Sequence, residues 1–278
     1  MNPRIKSVNA ANDYQLLLGF TNGEHGLYNC KPLLDFGVFK ELSDINYFKQ
    51  VAVTDGTVTW PNEQDICPDT LYLDSKKMDE IEVIWYQLID EINSDKACSS
   101  EKALVFHFAW KLKESYKDRI NLDFEKTCFI SENEEKFSDG TFLDLYAVLD
   151  DKKIGFEFKF PKSTEDQKKT RIKIINDIKR LCWLKIKGKI DKGYFLCMTD
   201  TMPYINKGEK EDAVDFETYQ GSIYTAGGFF PVYEKLSIEK IAVPKEIVFY
   251  WNGIRLMKMK YKPMKEGRYY PWLTPIII

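Results

Sequence analysis

The stretch Phe142–Phe160 leaves this chain few ways to fold. It reads Phe-Leu-Asp-Leu-Tyr-Ala-Val-Leu, then Asp-Asp-Lys-Lys, then Ile-Gly-Phe-Glu-Phe-Lys-Phe. Apolar residues at every second position on both sides of a polar tetrad specify a β-hairpin with one buried face. With Asp151-Lys152 at the turn, Leu143 faces Phe160, Leu145 faces Phe158 and Ala147 faces Phe156. That face is wholly apolar and must be core. The other face then carries Asp144 opposite Lys159 and Tyr146 opposite Glu157. Asp144 and Glu157 become diagonal neighbours, about 7–8 Å apart at the backbone.

Charged groups flanked by phenylalanines lose hydration at a cost unless they are paired or bound to a metal. Two carboxylates at one point repel, and a divalent cation turns that repulsion into binding. Such an ion can hold a phosphate and acidify a bound water, while a lysine two residues along orients the water and neutralises phosphate charge. The plainer reading of the same residues is an Asp144–Lys159 salt bridge with Glu157 partly solvated.

The hairpin sits in an alternation of helix and strand. Glu101–Tyr116 is predicted helical, with Leu104, Val105, Phe108, Ala109 and Leu112 on one face. Leu122–Ile130 is a plausible strand, and a basic helix runs from about Thr164 to Ile186 with Ile174, Ile175, Ile178, Leu181 and Cys182 as its buried stripe. Gly193–Thr199 is apolar throughout and therefore a central strand. Upstream, Tyr14–Phe20 and His25–Asn29 flank Asn22-Gly23, and Val51–Thr54 and Thr57–Trp60 flank Asp55-Gly56, two hairpins in one small β-rich unit. Val38–Leu42 reads as a helical turn between them, and Met78–Asn93 as an amphipathic helix. The chain ends in a further predicted hairpin, Glu246–Trp251 and Ile254–Tyr261 around Asn252-Gly253, followed by Lys262, Lys265, Arg268, Tyr269, Tyr270 and Trp272. That mixture suits either a nucleic-acid rim or an ordinary β extension.

Composition narrows the chemistry. Six cysteines without a C-x-x-C pair argue against a disulfide framework or a zinc site. Two histidines make a multi-histidine metal centre improbable, so a metal would be held by carboxylates, as Mg²⁺ or Mn²⁺ is. His107 reads as a packing or surface residue. No apolar run is long enough for a membrane helix and no secretory signal is visible, so a cytoplasmic location is expected. Net charge is -3, yet the charge is unevenly spread. Residues 1–74 hold ten acids and five bases, whereas residues 152–192 hold fourteen bases and five acids. A polyanion could dock on the second segment, although a lysine-rich helix face is often merely solvated.

Two family resemblances follow from these residues. Phe20, Asn22-Gly23-Glu24, Pro32-Leu33-Leu34, Gly37-Val38-Phe39, Trp60-Pro61, Asp65 and Pro68-Asp69-Thr70-Leu71-Tyr72 resemble the domain of unknown function 2442 family over about residues 10–75. This implies a compact α/β module without an agreed catalytic role, through which a protein partner could be recognised. Asp65 and Asp69 serve turns and caps or else bind something. Over about residues 99–200 the chain resembles the PD-(D/E)XK nuclease superfamily, whose core runs helix, three-strand meander, helix, strand. Gly140-Thr141-Phe142-Leu143-Asp144 matches its aspartate segment, with Leu143 in place of the frequent proline, and Glu157-Phe158-Lys159 matches E-x-K. Glu101 matches the acid that many members carry in the first helix; favourable charge at a helix N-terminus is its other reading.

The expected fold is therefore mixed α/β (α+β). It comprises a small module over residues 1–75 and a restriction-endonuclease-like domain over 78–278 with a C-terminal β-hairpin extension. The resemblance implies a metal-dependent nuclease in a bacterial defence setting, with DNA rather than RNA as the expected substrate. Asp144 and Glu157 would ligate the metal, Lys159 would position water, and Glu101 would support them. Lys168, Lys169, Arg171, Lys173 and Arg180 of the basic helix would meet phosphates. The alternatives are a catalytically inactive binding or assembly module, as in a toxin–antitoxin pair, and a ribonuclease.

Overall fold

In the computed structural model, strands form where the sequence alternates and helices where apolar residues recur every three to four positions. The structure describes residues 2–11, 13–94, 97–127, 142–206, 216–231, 241–253 and 270–278. The chain divides into two units, Met1–Ser94 and Asp95–Ile278. The sequence reading drew the junction between Tyr72 and Met78; the helix after it falls in the first unit. No described helix is long and apolar enough to cross a membrane.

The first unit begins with β1 (Ile5–Ala11), β2 (Gln15–Phe20) and β3 (His25–Asn29), an antiparallel meander turning at Gly23 with φ +85. A 3-10 segment, Gly37–Ser43, covers the predicted helical turn and leads into a short helix, α1 (Ile45–Phe48). A second sheet, β4 (Ala52–Thr54), β5 (Thr57–Thr59) and β6 (Asp65–Ile66), follows. Pro68 then opens α2 (Pro68–Asp74), where its missing N–H costs nothing. Leu16, Leu18, Phe20, Phe48, Trp60 and Leu71 share one core cluster, and the Trp60 indole donates to the Phe48 carbonyl at 2.9 Å.

The unit continues past Tyr72 because Lys76–Met78 is a strand, β7, that pairs with β3. A capping box fixes the next helix, α3 (Glu80–Ser94), directly behind it: Glu82 N–H donates to Asp79 at 2.8 Å and Asp79 N–H donates to Glu82 at 3.0 Å. Lys76 reaches the same Glu82 carboxylate at 3.1 Å.

In the second unit α4 (Glu101–Tyr116) precedes an antiparallel meander of β8 (Ile120–Thr127), β9 (Phe142–Leu149) and β10 (Lys152–Lys159). Then come α5 (Gln167–Ile186) and β11 (Lys192–Cys197), parallel to β10. This is the predicted core order. Short ladders follow: β12 (Ile223–Tyr224) with β13 (Ile247–Val248), and β14 (Trp251–Asn252) with β15 (Trp272–Leu273). Finally β16 (Ile276–Ile277) adds to β11, giving the sheet order β16-β11-β10-β9-β8. Asn252, expected in a turn, lies in a strand instead. The expected return strand Ile254–Tyr261 lies outside the described residues, as do Gly140, Thr141 and the basic-aromatic run as far as Tyr269.

The central hairpin departs from the predicted register by two residues. Phe156 pairs with Leu145, not Ala147, and Lys152 pairs with Leu149. The turn is Asp150-Asp151, both at positive φ (46 and 67), as a two-residue type I′ turn requires. Aspartate tolerates the left-handed region better than lysine does, so the turn settles on the two acids. A shift of two keeps every facing. Phe156 and Phe158 meet Phe108 of α4, each with ring centroids 5.4 Å apart, while Glu157 meets Arg180 of α5. The helices thus cover opposite faces of the sheet. Leu143 is the exception. It joins the cluster on the α5 side, where its Cδ1 would lie 3.0 Å from a Cβ built on Gly155. Regular pairing between β9 and β10 stops at Leu145, and beyond it Phe158 N–H donates to the Asp144 carboxylate at 2.7 Å.

Glu82→Ala, which removes both the reciprocal cap and the Lys76 partner, should destabilise the chain by about 1–2 kcal/mol. Urea unfolding followed by far-UV circular dichroism measures it.

Candidate active site

The site forms where β10 ends between the first turn of α4 and the middle of α5. Glu157 and Lys159 lie two apart on β10 and so share a face, while Asp144 reaches them from the irregular start of β9. Lys159 Nζ lies 2.8 Å from Asp177 Oδ2 and 3.3 Å from Glu101 Oε1, and it donates to the Phe158 carbonyl at 3.0 Å. Glu101 Oε2 accepts from Phe160 N–H at 3.1 Å. Ser100 caps α4 by accepting from Ala103 N–H, which fixes where Glu101 stands. Arg180 donates through Nη1 to Glu157 Oε1 at 2.7 Å and to the Phe142 carbonyl at 2.8 Å. Its Nη2 donates to Asp177 Oδ1 at 2.6 Å.

A continuous chain of alternating charge results: Glu101, Lys159, Asp177, Arg180, Glu157. Asp177, Arg180 and Glu157 are buried, Glu157 1% and Asp177 5% exposed, and Lys159 is half-buried. Four carboxylates, counting Asp144, stand against two cations. Burial pushes the Glu157 carboxyl well above the usual range; Arg180 opposes this, and Asp177 and Asp144 reinforce it. Burial also raises Asp144, against the pull of Lys159, and the Glu157 side chain hydrogen-bonds to it. Burial raises Glu101 in the same way. For Lys159 burial acts to lower the pKa, but Asp177, then Glu101 and Asp144, outweigh it and hold the ammonium above its ordinary value. Lys159 is therefore a fixed cation and hydrogen-bond donor, unsuited to taking up a proton.

Asp144, Glu157, Lys159 and Glu101 are thus brought together. The proposed phosphate contacts divide. Lys168, Lys169 and Lys173 are exposed, and Lys169 and Lys173 line a cavity of about 520 Å³ with Lys159 and Lys162 and with the acids Glu101, Glu165 and Asp166. Arg171 and Arg180 instead turn inward. Arg171 donates to the Pro203 carbonyl at 2.6 Å and lies over Tyr219, 4.6 Å from the ring centre. Helical spacing is the reason: Arg171 is three residues before Ile174, and Arg180 adjoins Leu181 on the buried stripe. Lys179 is buried too, and burial lowers its pKa. His107 stands apart, with Nε2 3.0 Å from the Ala97 carbonyl.

Sequence reasoning missed Asp177 and the role of Arg180. The signal was an acid three after Ile174 and four before Leu181, inside an apolar stripe where an unpaired acid is costly. Among the described residues no three Asp, Glu, His or Cys side chains are arranged to hold a metal ion. The donor set nonetheless suits a hard divalent cation. Asp144 and Glu157 would offer it carboxylate oxygens; they stand in hydrogen-bond contact, both with raised pKa values, in a cluster with an excess of acid.

Comparison with known proteins reaches the first unit. The family model described as Protein of unknown function (DUF2442) matches residues 5–77, the segment spanning β1 to β7. No curated protein and no solved structure matches the chain.

Arg180→Ala should destabilise the second unit by about 3–5 kcal/mol at neutral pH, because it strands the buried Glu157 carboxylate. A carboxyl with a raised folded-state pKa contributes stability below its ordinary pKa and loses it as pH rises through the raised value. The penalty should therefore be smaller at about pH 5 than at about pH 8, by urea denaturation of both proteins.

Proposed function

We propose that the second unit hydrolyses phosphodiester bonds in nucleic acid, with DNA the first substrate to test, as a PD-(D/E)XK-type nuclease. The observation that carries this reading is the convergence of Asp144, Glu157 and Lys159 at the end of β10. It occurs within the element order helix, three-strand meander, helix, strand. The resembled superfamily places its catalytic carboxylates and lysine on the same elements. Asp144 and Glu157 would hold Mg²⁺ or Mn²⁺, which when bound supplies an acidified water and charge neutralisation for the phosphate. Arg180 already engages Glu157 Oε1, so a cation there competes with the guanidinium. Lys159, held protonated, donates to the phosphate or to the attacking water and offsets developing negative charge. Lys162, Lys169 and Lys173 around the adjoining cavity suit flanking phosphates. The bacterial defence setting rests on family resemblance alone.

One observation favours a second reading. The Arg180–Glu157 pair and the lack of a three-acid metal set among the described residues also suit a nuclease fold retained for binding.

The test is a cleavage panel of plasmid, linear duplex and RNA with Mg²⁺ or Mn²⁺. Glu157→Gln keeps an acceptor for Arg180 and is preferred to alanine. It and Lys159→Met should each cut the rate by about 10²–10³-fold while the chain stays folded. Wild-type protein that binds a nucleic acid from the panel without cutting it would move the reading to the binding module.

A further inference from the structure

The ion chain has a centre that neither family motif contains. Asp177 lies midway along α5, a 20-residue helix, and pairs with both cations. Its ion-pair contact with Lys159 is closer than that of Glu101, 2.8 against 3.3 Å, although only the Glu101 contact has hydrogen-bond geometry. Glu101 stands on the first turn of α4 with its side chain 38% exposed, whereas that of Asp177 is 7% exposed. A lysine side chain has four rotatable carbons and wanders unless something fixes its end. Glu101 and the Phe158 carbonyl accept hydrogen bonds from the ammonium, and the buried aspartate sets an opposite charge 2.8 Å from it. The same carboxylate orients Arg180 through its second oxygen, so the guanidinium presents Nη1 to Glu157. Asp177 can hold both because it is one turn before Arg180, on the helix face that looks at β10.

We propose that Asp177 is a positioning residue: it fixes the Lys159 ammonium beside Asp144 and Glu157, and the catalytic contribution of Lys159 depends on it. This rests on the nuclease reading for its kinetic consequence, while the positioning itself can be read without activity. Asp177→Asn keeps the shape of the side chain and removes its charge. Asp177→Ser, smaller and neutral, is the second variant if asparagine is not tolerated.

The experiment uses the full chain labelled with ¹⁵N-lysine. A lysine ammonium held in several hydrogen bonds exchanges its protons slowly enough to give a ¹H–¹⁵N signal, assigned here by its loss in Lys159→Met. The Lys159 signal should be present in the wild type, vanish in Asp177→Asn and persist in Glu114→Gln, which removes an acid remote from the site. In cleavage assays Asp177→Asn should lower kcat by about 10²-fold with KM within about twofold. The double variant with Lys159→Met should be no slower than Lys159→Met alone, because one residue acts through the other. Loss of the signal in a protein that cuts no nucleic acid upholds the positioning and removes the nuclease reading. A Lys159 signal unchanged in Asp177→Asn, or a double variant slowed by the product of the two single effects, overturns the proposal.

Discussion

The arrangement depends on a buried ionic chain in which Asp177 binds Lys159 on one side and Arg180 on the other, with Glu101 and Glu157 at its ends. Removing such charges from water costs several kcal/mol per ion, and pairing recovers this only where geometry is good and hydrogen bonds are complete. Four contacts between 2.6 and 3.3 Å meet the first condition in distance, although the Lys159–Asp177 approach leaves Asp177 Oδ2 without a hydrogen bond. The second is met only in part, because the acids exceed the bases and Asp144 and Glu157 lie in contact. Burial is the chief cause that raises both carboxyls, and the charge of Asp177 adds to it. The sheet carries more acid than base at this point, the excess that the proposed cation would offset.

The packing around the chain makes those contacts reachable. A Cβ on Gly193 would lie 3.2 Å from Leu181 Cβ, so glycine there lets α5 lie close against the sheet. At that separation Arg180 meets Glu157 directly. On the other face Phe108 fills the space between Phe156 and Phe158, and α4 is thereby set so that Glu101 reaches the end of β10. Aromatic packing below and charge pairing above are two consequences of one alternating strand.

Much of this was legible in the sequence, for identifiable reasons. Period-two alternation placed Glu157 and Lys159 opposite the phenylalanines, and α4 spans the Glu101–Tyr116 that its apolar stripe predicts. The register was misjudged because hydrophobic alternation is blind to a shift of two; only turn chemistry separates the alternatives, and it favours Asp150-Asp151. Leu143 escaped because β9 loses regular pairing where the Asp144 side chain takes over as acceptor for Phe158. Arg171 and Arg180 were grouped with exposed lysines because charge was weighed before helical position. In the first unit the end of the family resemblance near residue 75 hid β7 and the capping box that tie α3 to it.

On the proposed reading, Asp144 and Glu157 of the second unit take up one divalent cation. Calorimetric titration of the full chain with Mn²⁺ or Mg²⁺, repeated in buffers of different ionisation enthalpy, tests it most directly. Carboxyls with raised pKa values must give up protons to become ligands, so binding should release protons. The account predicts one binding event per chain with proton release, weakened or lost in Glu157→Gln. A wild-type chain that takes up no divalent cation, or binds one unchanged when Glu157 is replaced, would contradict it.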